Sequence, residues 1–299
     1  LILSYFTESL SQGSVEKDIH VVADSLKLSI SSLIAQESLS LIRSPQNVYS
    51  GQPVLVFAYV PSGGVIELYV SVIIETKTNS TTVTPPKPYS INQSLPMIPV
   101  PWRKEWYFTS IPGLPSLNTS FKSLTKTVMV SITSKVMYSL IINGVEVMSD
   151  SYIVNTTNVT SYIPPVVYAF LYQIFKEPEL ISETLGLGPS GWVIGEESQV
   201  KVAAVAFDDN DLPQMGMEYK VNEGVWISNP VNDDPIMSEF YNFRDRINTA
   251  INNIQQWINQ HAKNLTIPRA KLTFRIVDSI IPSQKAGVFV QFRAIASDN

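Results

Sequence analysis

Short runs rich in β-branched, aromatic and other apolar residues recur from Ser38 onward, and Pro, Gly and Asn divide them. Val54 to Val60 and Ile66 to Val72 are two such runs, with Pro61, Gly63 and Gly64 between them. Several short runs of this kind, bounded by turn residues, are typical of antiparallel sandwiches. The pattern therefore predicts a mainly β chain.

Composition limits the setting and the function of the chain. Its 299 residues, 44% of them apolar, are enough for two domains with packed cores. The absence of cysteine excludes disulfides, thiolate metal sites and cysteine nucleophiles. A net charge of −5 without a basic run argues against nucleic-acid binding. Charged residues make up only 16% beside 53 Ser and Thr, which favours a protein on the outside of a cell.

The first large domain is predicted over residues 36–157. Its seven or eight predicted strands, including a hairpin turning at Asn143-Gly144, suit an immunoglobulin-like sandwich without its disulfide. A linker over 158–194 follows, and its apolar run from Val167 to Phe175 predicts a short helix between the domains.

The second domain is predicted over residues 195–299, because its order of runs repeats that of the first. Ser50 to Ala58 is answered by Gly195 to Ala206, which indicates a tandem duplication. A helix is inserted over 237–263, with Ser238 as its predicted N-cap. Its apolar positions follow one helical face: Phe240, Phe243, Ile247, Ile251, Ile254 and Ile258.

Residues 1–35 allow two interpretations. The apolar spacing from Val15 to Leu33 predicts a helix, whereas Leu26 to Ser31 alternates with the period of a strand. The segment is therefore expected to be an N-terminal helix or an extended donor strand. Since the chain opens on Leu1 and not on Met, an upstream segment is expected to have been removed. The short apolar run that follows is expected to be the stump of a signal peptide or of an N-terminal membrane anchor, or else an ordinary helix start.

The second half resembles immunoglobulin-like modules of microbial extracellular proteins. The resemblance rests on Val200 to Ala203 leading into Phe207 to Asp211, on Glu218 to Trp226, and on Ile280 to Asn299. The whole chain is similar to archaeal cell-surface proteins, among them the membrane-anchored stalk proteins of crenarchaeal surface layers. In such modules a turn and one last strand follow the Ala-Ser-Asp-Asn strand end, so an open sheet edge is expected here. Residues 21–32 of a neighbouring copy are one candidate to fill it, and simple truncation is the alternative.

Two kinds of site are predicted. Six Asn-X-Ser/Thr sequons indicate N-linked glycosylation, mostly in predicted loops: Asn79, Asn92, Asn118, Asn155, Asn158 and Asn264. An acidic cluster at one predicted pole offers oxygen ligands for Ca²⁺, although Asp is also a common turn residue: Asp208, Asp209, Asp211 and Asp298.

Motifs for catalysis are missing from the sequence. It contains no phosphate-binding Gly-rich loop, no Gly-X-Ser-X-Gly elbow and no His-Glu-X-X-His. Asp233, Asp234 and Glu239 are the acids that a glycosidase would need, but no pocket motif accompanies them. The expected function is a non-enzymatic structural subunit that contacts copies of itself or another surface-layer protein. The alternative is an extracellular glycan- or peptide-binding adhesion module.

Overall fold

Antiparallel strands dominate the structure, a computed structural model that describes residues 39–100, 105–123, 126–158, 166–175, 199–208, 214–261, 265–285 and 288–297. The first half contains β1 (Ser40–Ser44), β2 (Tyr49–Ser50), β3 (Val54–Tyr59), β4 (Ile66–Thr78), β5 (Tyr89–Pro96), β6 (Ile98–Pro99), β7 (Trp106–Ile111), β8 (Leu117–Ser123), β9 (Lys126–Ile142), β10 (Val145–Ile153) and β11 (Asn155–Asn158). The second half contains β12 (Val166–Phe175), β13 (Gln199–Phe207), β14 (Gln214–Val221), β15 (Ile227–Asn229), β16 (Asn232–Asp233), helix α1 (Met237–His261), β17 (Phe274–Ile281) and β18 (Val290–Ser297). The mainly β prediction is confirmed.

Two antiparallel sheets face each other in the first half. Sheet I has the strand order β1-β3-β7-β6, and sheet II has the order β10-β9-β4-β5, with β8 also paired to β9. Alternate residues of β3 and β4, such as Val56 and Val70, are completely buried between the sheets. The predicted Asn143-Gly144 turn joins β9 to β10, with φ of 50° and 81°. Positive φ at both residues suits a two-residue hairpin loop.

The second half also has two sheets. Sheet III has the order β12-β13-β17-β16, and sheet IV has the order β15-β14-β18. Sheet III is buried on both faces, because Val202 and Ala204 face sheet IV while Val205 faces the first half. Burial on both faces explains why β13 is almost continuously apolar.

The helix predicted over Val167 to Phe175 in the linker is wrong. These residues form β12, which pairs with β13 from Val166↔Phe207 to Phe175↔Gln199. A short apolar run fits a buried helix and a buried strand equally well, so periodicity cannot separate them. The free edge of β13 supplies backbone partners, and the predicted linker thereby contributes the first strand of sheet III.

Helix α1 lies where the apolar periodicity predicts it, and it packs on the first half. Its buried face includes Phe240 and Ile254. On the β5 side, Arg246 donates to the Asn92 carbonyl at 2.8 Å, and the Trp257 indole donates to the Thr84 carbonyl at 2.9 Å. The helix therefore covers the edge of sheet II.

The predicted N-cap of α1 is wrong by four residues. Asp234 is buried, and its Oδ1 accepts the Ile236 amide at 3.0 Å, while Ser238 lies inside the first turn and donates to the Pro235 carbonyl. Asp followed by Pro at the first position is a strong helix start. Asp234-Pro235 was the better signal.

An aromatic cluster joins the halves into one core. Phe108 of β7 lies 5.2 Å from Phe207 and 5.9 Å from Phe274, and Phe240 of α1 packs edge-on against Phe274 at 4.7 Å. One continuous set of buried residues runs from sheet II through sheet I to α1 and sheet III. The predicted boundaries at 157 and 194 stay predictions, but the described halves are packed together.

Candidate functional site

The outer edge of β18 offers unpaired backbone. β18 pairs with β14 from Val290↔Val221 to Ser297↔Gln214. Within the described ranges, no strand pairs with its other edge. Such an edge presents a row of N–H and C=O groups that can pair with an added strand.

The core beside this edge is incompletely covered. Val290, Phe292 and Ala294 of β18 point toward sheet III, yet Val290 and Phe292 are only half-buried. Tyr219, opposite Phe292 on β14, is half-buried as well. Phe289, just before β18, is 62% exposed. Apolar surface next to unpaired backbone is the combination that strand addition requires.

Strand β12 lies close to β18 on the opposite sheet. Its hydrogen-bonded partner is β13, and it is not hydrogen-bonded to β18. The backbone groups on the outer edge of β18 therefore do not pair with β12.

Ionic and stacking contacts hold the outer face of sheet IV. Arg293 of β18 donates to Glu218 of β14 at 2.7 Å, and its guanidinium lies 4.2 Å from the centre of the Trp226 ring. Lys220 approaches the same ring at 5.0 Å. Cation–π contacts and a cross-strand ion pair stiffen a sheet surface. These contacts link β18 to β14 on the outer face of the sheet.

The predicted glycosylation sites are exposed wherever their side chains are described. Asn79 lies in a bend after β4, while Asn92, Asn118 and Asn155 lie in strands β5, β8 and β11, and all four are exposed. Most of the sequons were expected in loops, but three of these four lie in strands, whose outward side chains are also exposed. Asn158 lies in β11 without a described side chain. Asn264 lies outside the described residues.

The predicted calcium site is described at one residue. Asp208 follows β13, is 8% exposed, and its amide donates to the Thr273 carbonyl at 2.7 Å. Asp209, Asp211 and Asp298 lie outside the described residues. Among the side chains that the structure describes, no group of three or more acidic or histidine residues is arranged to hold a metal.

The acids considered for glycosidase chemistry have other partners. Asp233 accepts Arg275 at 2.6 Å and the Tyr241 hydroxyl at 2.9 Å. Burial, reinforced by that bond to Asp233, raises the pKa of Tyr241 to about 12. Glu239 accepts Gln93 at 3.2 Å, and Asp234 begins α1. Each of the three carboxylates therefore accepts a hydrogen bond that stabilises the region around α1.

Comparison with known proteins adds no relative. No protein-family model matches the chain, and no curated protein matches it significantly. In the described part of the chain, no helix has both the length and the apolarity needed to cross a membrane.

Proposed function

We propose that this protein is a non-enzymatic structural subunit of an archaeal cell surface that assembles with copies of itself by β-strand addition. The single observation that carries the proposal is the edge of β18 that no described strand pairs with, beside the half-buried Val290 and Phe292. Strand addition buries both the backbone groups and the apolar side chains at such an edge. The assembled form is a surface layer or a filament.

The strand order supports an immunoglobulin-like sandwich in each half. Immunoglobulin strands A, B, E and D form one sheet, while C, F and G form the other. Sheets I and III both have the order A-B-E-D, sheet II has the order G-F-C-C′, and sheet IV has C′-C-F. In this assignment the edge of β18 that no described strand pairs with faces the position of strand G.

The strand that we assign to this position is the period-two stretch within residues 21–32 of a second copy. Large residues Leu26, Leu28 and Ile30 alternate there with Lys27, Ser29 and Ser31. The inward residues near the end of β18 are small, Ala294 and Ala296. Leu and Ile side chains would fill the space beside these alanines, since sandwich cores pack without large voids.

An extracellular location is supported by surface chemistry. Asn79, Asn92, Asn118 and Asn155 are exposed sequons, and only 16% of the chain is charged. The resemblance of the second half to modules of archaeal surface proteins agrees with this location.

The size of the protein in its native state tests whether it assembles as proposed. Light scattering and electron microscopy of the full chain are expected to show large particles or fibres. Leu28→Lys should abolish them by placing a charge in the sheet III–sheet IV core, whereas the matched control Ser29→Lys, on the opposite face of the strand, should assemble. A discrete monomer, or equal assembly by both variants, would overturn the proposal. A monomer that captures peptides or glycans would favour the adhesion-module alternative.

Cysteine cross-linking identifies the donor, because the chain contains no cysteine of its own. Ser29→Cys is mixed with a differently tagged chain carrying Gln291→Cys or Ile295→Cys. Disulfides between the two tags are expected at one of these positions, since bonded Cα atoms must lie about 6 Å apart. A double variant that forms only an intrachain bond would contradict donation by a second copy.

A further inference from the structure

A polar groove of about 360 Å³ lies between the two halves of the molecule. Strand β8 contributes Asn118 and Thr119 to its wall, β2 contributes Ser50, and β11 contributes Thr156. The segment that follows α1 contributes Leu265 and Thr266. The groove therefore bridges strands of the first half and a segment of the second.

The lining is neutral and rich in hydroxyl groups. Ser and Thr hydroxyls both donate and accept hydrogen bonds, as the hydroxyls of a sugar do. Leucine and proline side chains line the remainder, and they suit the C–H faces of a sugar ring. The volume lies within the range of about 300–1,000 Å³ that small-ligand sites usually have.

Asn118 is a sequon residue, Asn118-Thr119-Ser120, that borders this groove. Its side chain is exposed, and its amide nitrogen has no hydrogen-bond partner among the described residues. By contrast, the Asn155 amide donates to the Val48 carbonyl at 3.1 Å. Asn118 and Ser120 lie on the same face of β8, since strand side chains repeat every two residues.

We propose that an N-linked glycan on Asn118 lies in this groove and ties β8 to the segment 265–268. The inference rests on the extracellular location proposed above. An oligosaccharyltransferase would supply the sugar on a lipid phosphate. The Asn118 Nδ2–C1 bond forms, the C1–O bond to the phosphate breaks, the lipid phosphate leaves, and one Nδ2 proton is released.

The test uses the full chain secreted from an N-glycosylating host. Glycopeptide mass spectrometry is expected to find Asn118 occupied. Hydrogen exchange in residues 265–267 should accelerate about fivefold in Asn118→Gln, which is the loss of roughly one hydrogen bond. Ser120→Ala removes the same sequon without changing Asn118, and it should behave alike.

Asn92→Gln is the matched control, because Asn92 is another exposed sequon on a strand but does not border the groove. It should leave exchange at 265–267 unchanged. Occupancy at Asn92 with none at Asn118, or equal exchange in all variants, would overturn the groove inference alone. In protein isolated from its native cells, four unmodified sequons at Asn79, Asn92, Asn118 and Asn155 would overturn this inference and the extracellular location together.

Discussion

Strands β9 and β18 would occupy equivalent positions in the proposed immunoglobulin-like halves, but they differ in their neighbours. β9 pairs with β4 on one side and with β10 and β8 on the other, whereas β18 pairs with β14 alone in the described residues. The inward residues of β9, Tyr138 and Leu140, are at most 1% exposed, but Phe292 on β18 is half-buried. Within the described residues, β18 therefore has one unpaired edge beside side chains that are only partly buried. The difference indicates where an added strand would stabilise the molecule.

The largest effect is expected where the two halves meet. Phe274→Ala removes a fully buried ring that contacts Phe108, Phe207 and Phe240, and it should cost about 4 kcal/mol of unfolding free energy. Denaturant unfolding is expected to show one shared transition moving to lower denaturant. A variant in which only the second half melts early would show that the halves are energetically separate.

A close backbone approach makes the first half intolerant of a single methyl group. A Cβ at Gly113 would lie 2.1 Å from the Gly51 carbonyl oxygen, whereas at Gly216 of β14 it would meet nothing within 4 Å. Gly113→Ala should therefore destabilise the protein by about 3 kcal/mol. Gly216→Ala, its control in the second half, should be neutral or stabilising. Equal denaturation midpoints for the two variants would contradict this packing.

Replacing one core side chain on β9 and one on β18 by alanine compares how much each strand's packing contributes to stability. Leu140→Ala should cost about 3 kcal/mol, because Leu140 is completely buried. Phe292→Ala should cost about 1 kcal/mol in dilute monomer despite its larger side chain, because Phe292 is only partly buried. The Phe292→Ala cost should increase in assembled protein. Equal costs in dilute monomer would mean that the core beside β18 is already closed.

Much of the sheet architecture could be predicted from the sequence, because strands with one buried face alternate visibly. Val54 to Tyr59 and the Asn143-Gly144 turn are such cases. β12 was not predicted as a strand, because a continuous apolar run shows neither the period of a helix nor that of a strand. The segment is a strand because it pairs with β13, which is distant in sequence. The expected open edge followed from the resemblance. No motif marks the groove beside Asn118, since Ser50 and Thr266 meet only in the fold.

The smallest effect concerns a group of three polar side chains, here called the polar clamp, that links sheet I to β10 of sheet II. Arg43 of β1 donates to Asp150 of β10 at 2.5 Å, and the Tyr138 hydroxyl donates to the same carboxylate at 2.7 Å. Burial alone would raise the pKa of Asp150, but the Tyr138 and Ser151 hydrogen bonds and the Arg43 charge lower it overall. Because the folded pKa is below the unfolded value of 3.8, the stabilisation is present above that pH and is lost as pH falls through the folded pKa.

Asp150→Asn should cost about 1 kcal/mol at pH 7, because the half-exposed carboxylate is screened by water. The difference from wild type should shrink toward zero at acid pH, and hydrogen exchange should increase in β10 but not in β14. Unfolding free energies at pH 7 and pH 3 provide the measurement. If the difference is independent of pH, the clamp acts through shape and not through charge. Faster exchange in β10 would make the β9 edge of the first half resemble the β18 edge of the second. That result would mean that protection of the β9 edge depends on Arg43 as well as on strand pairing.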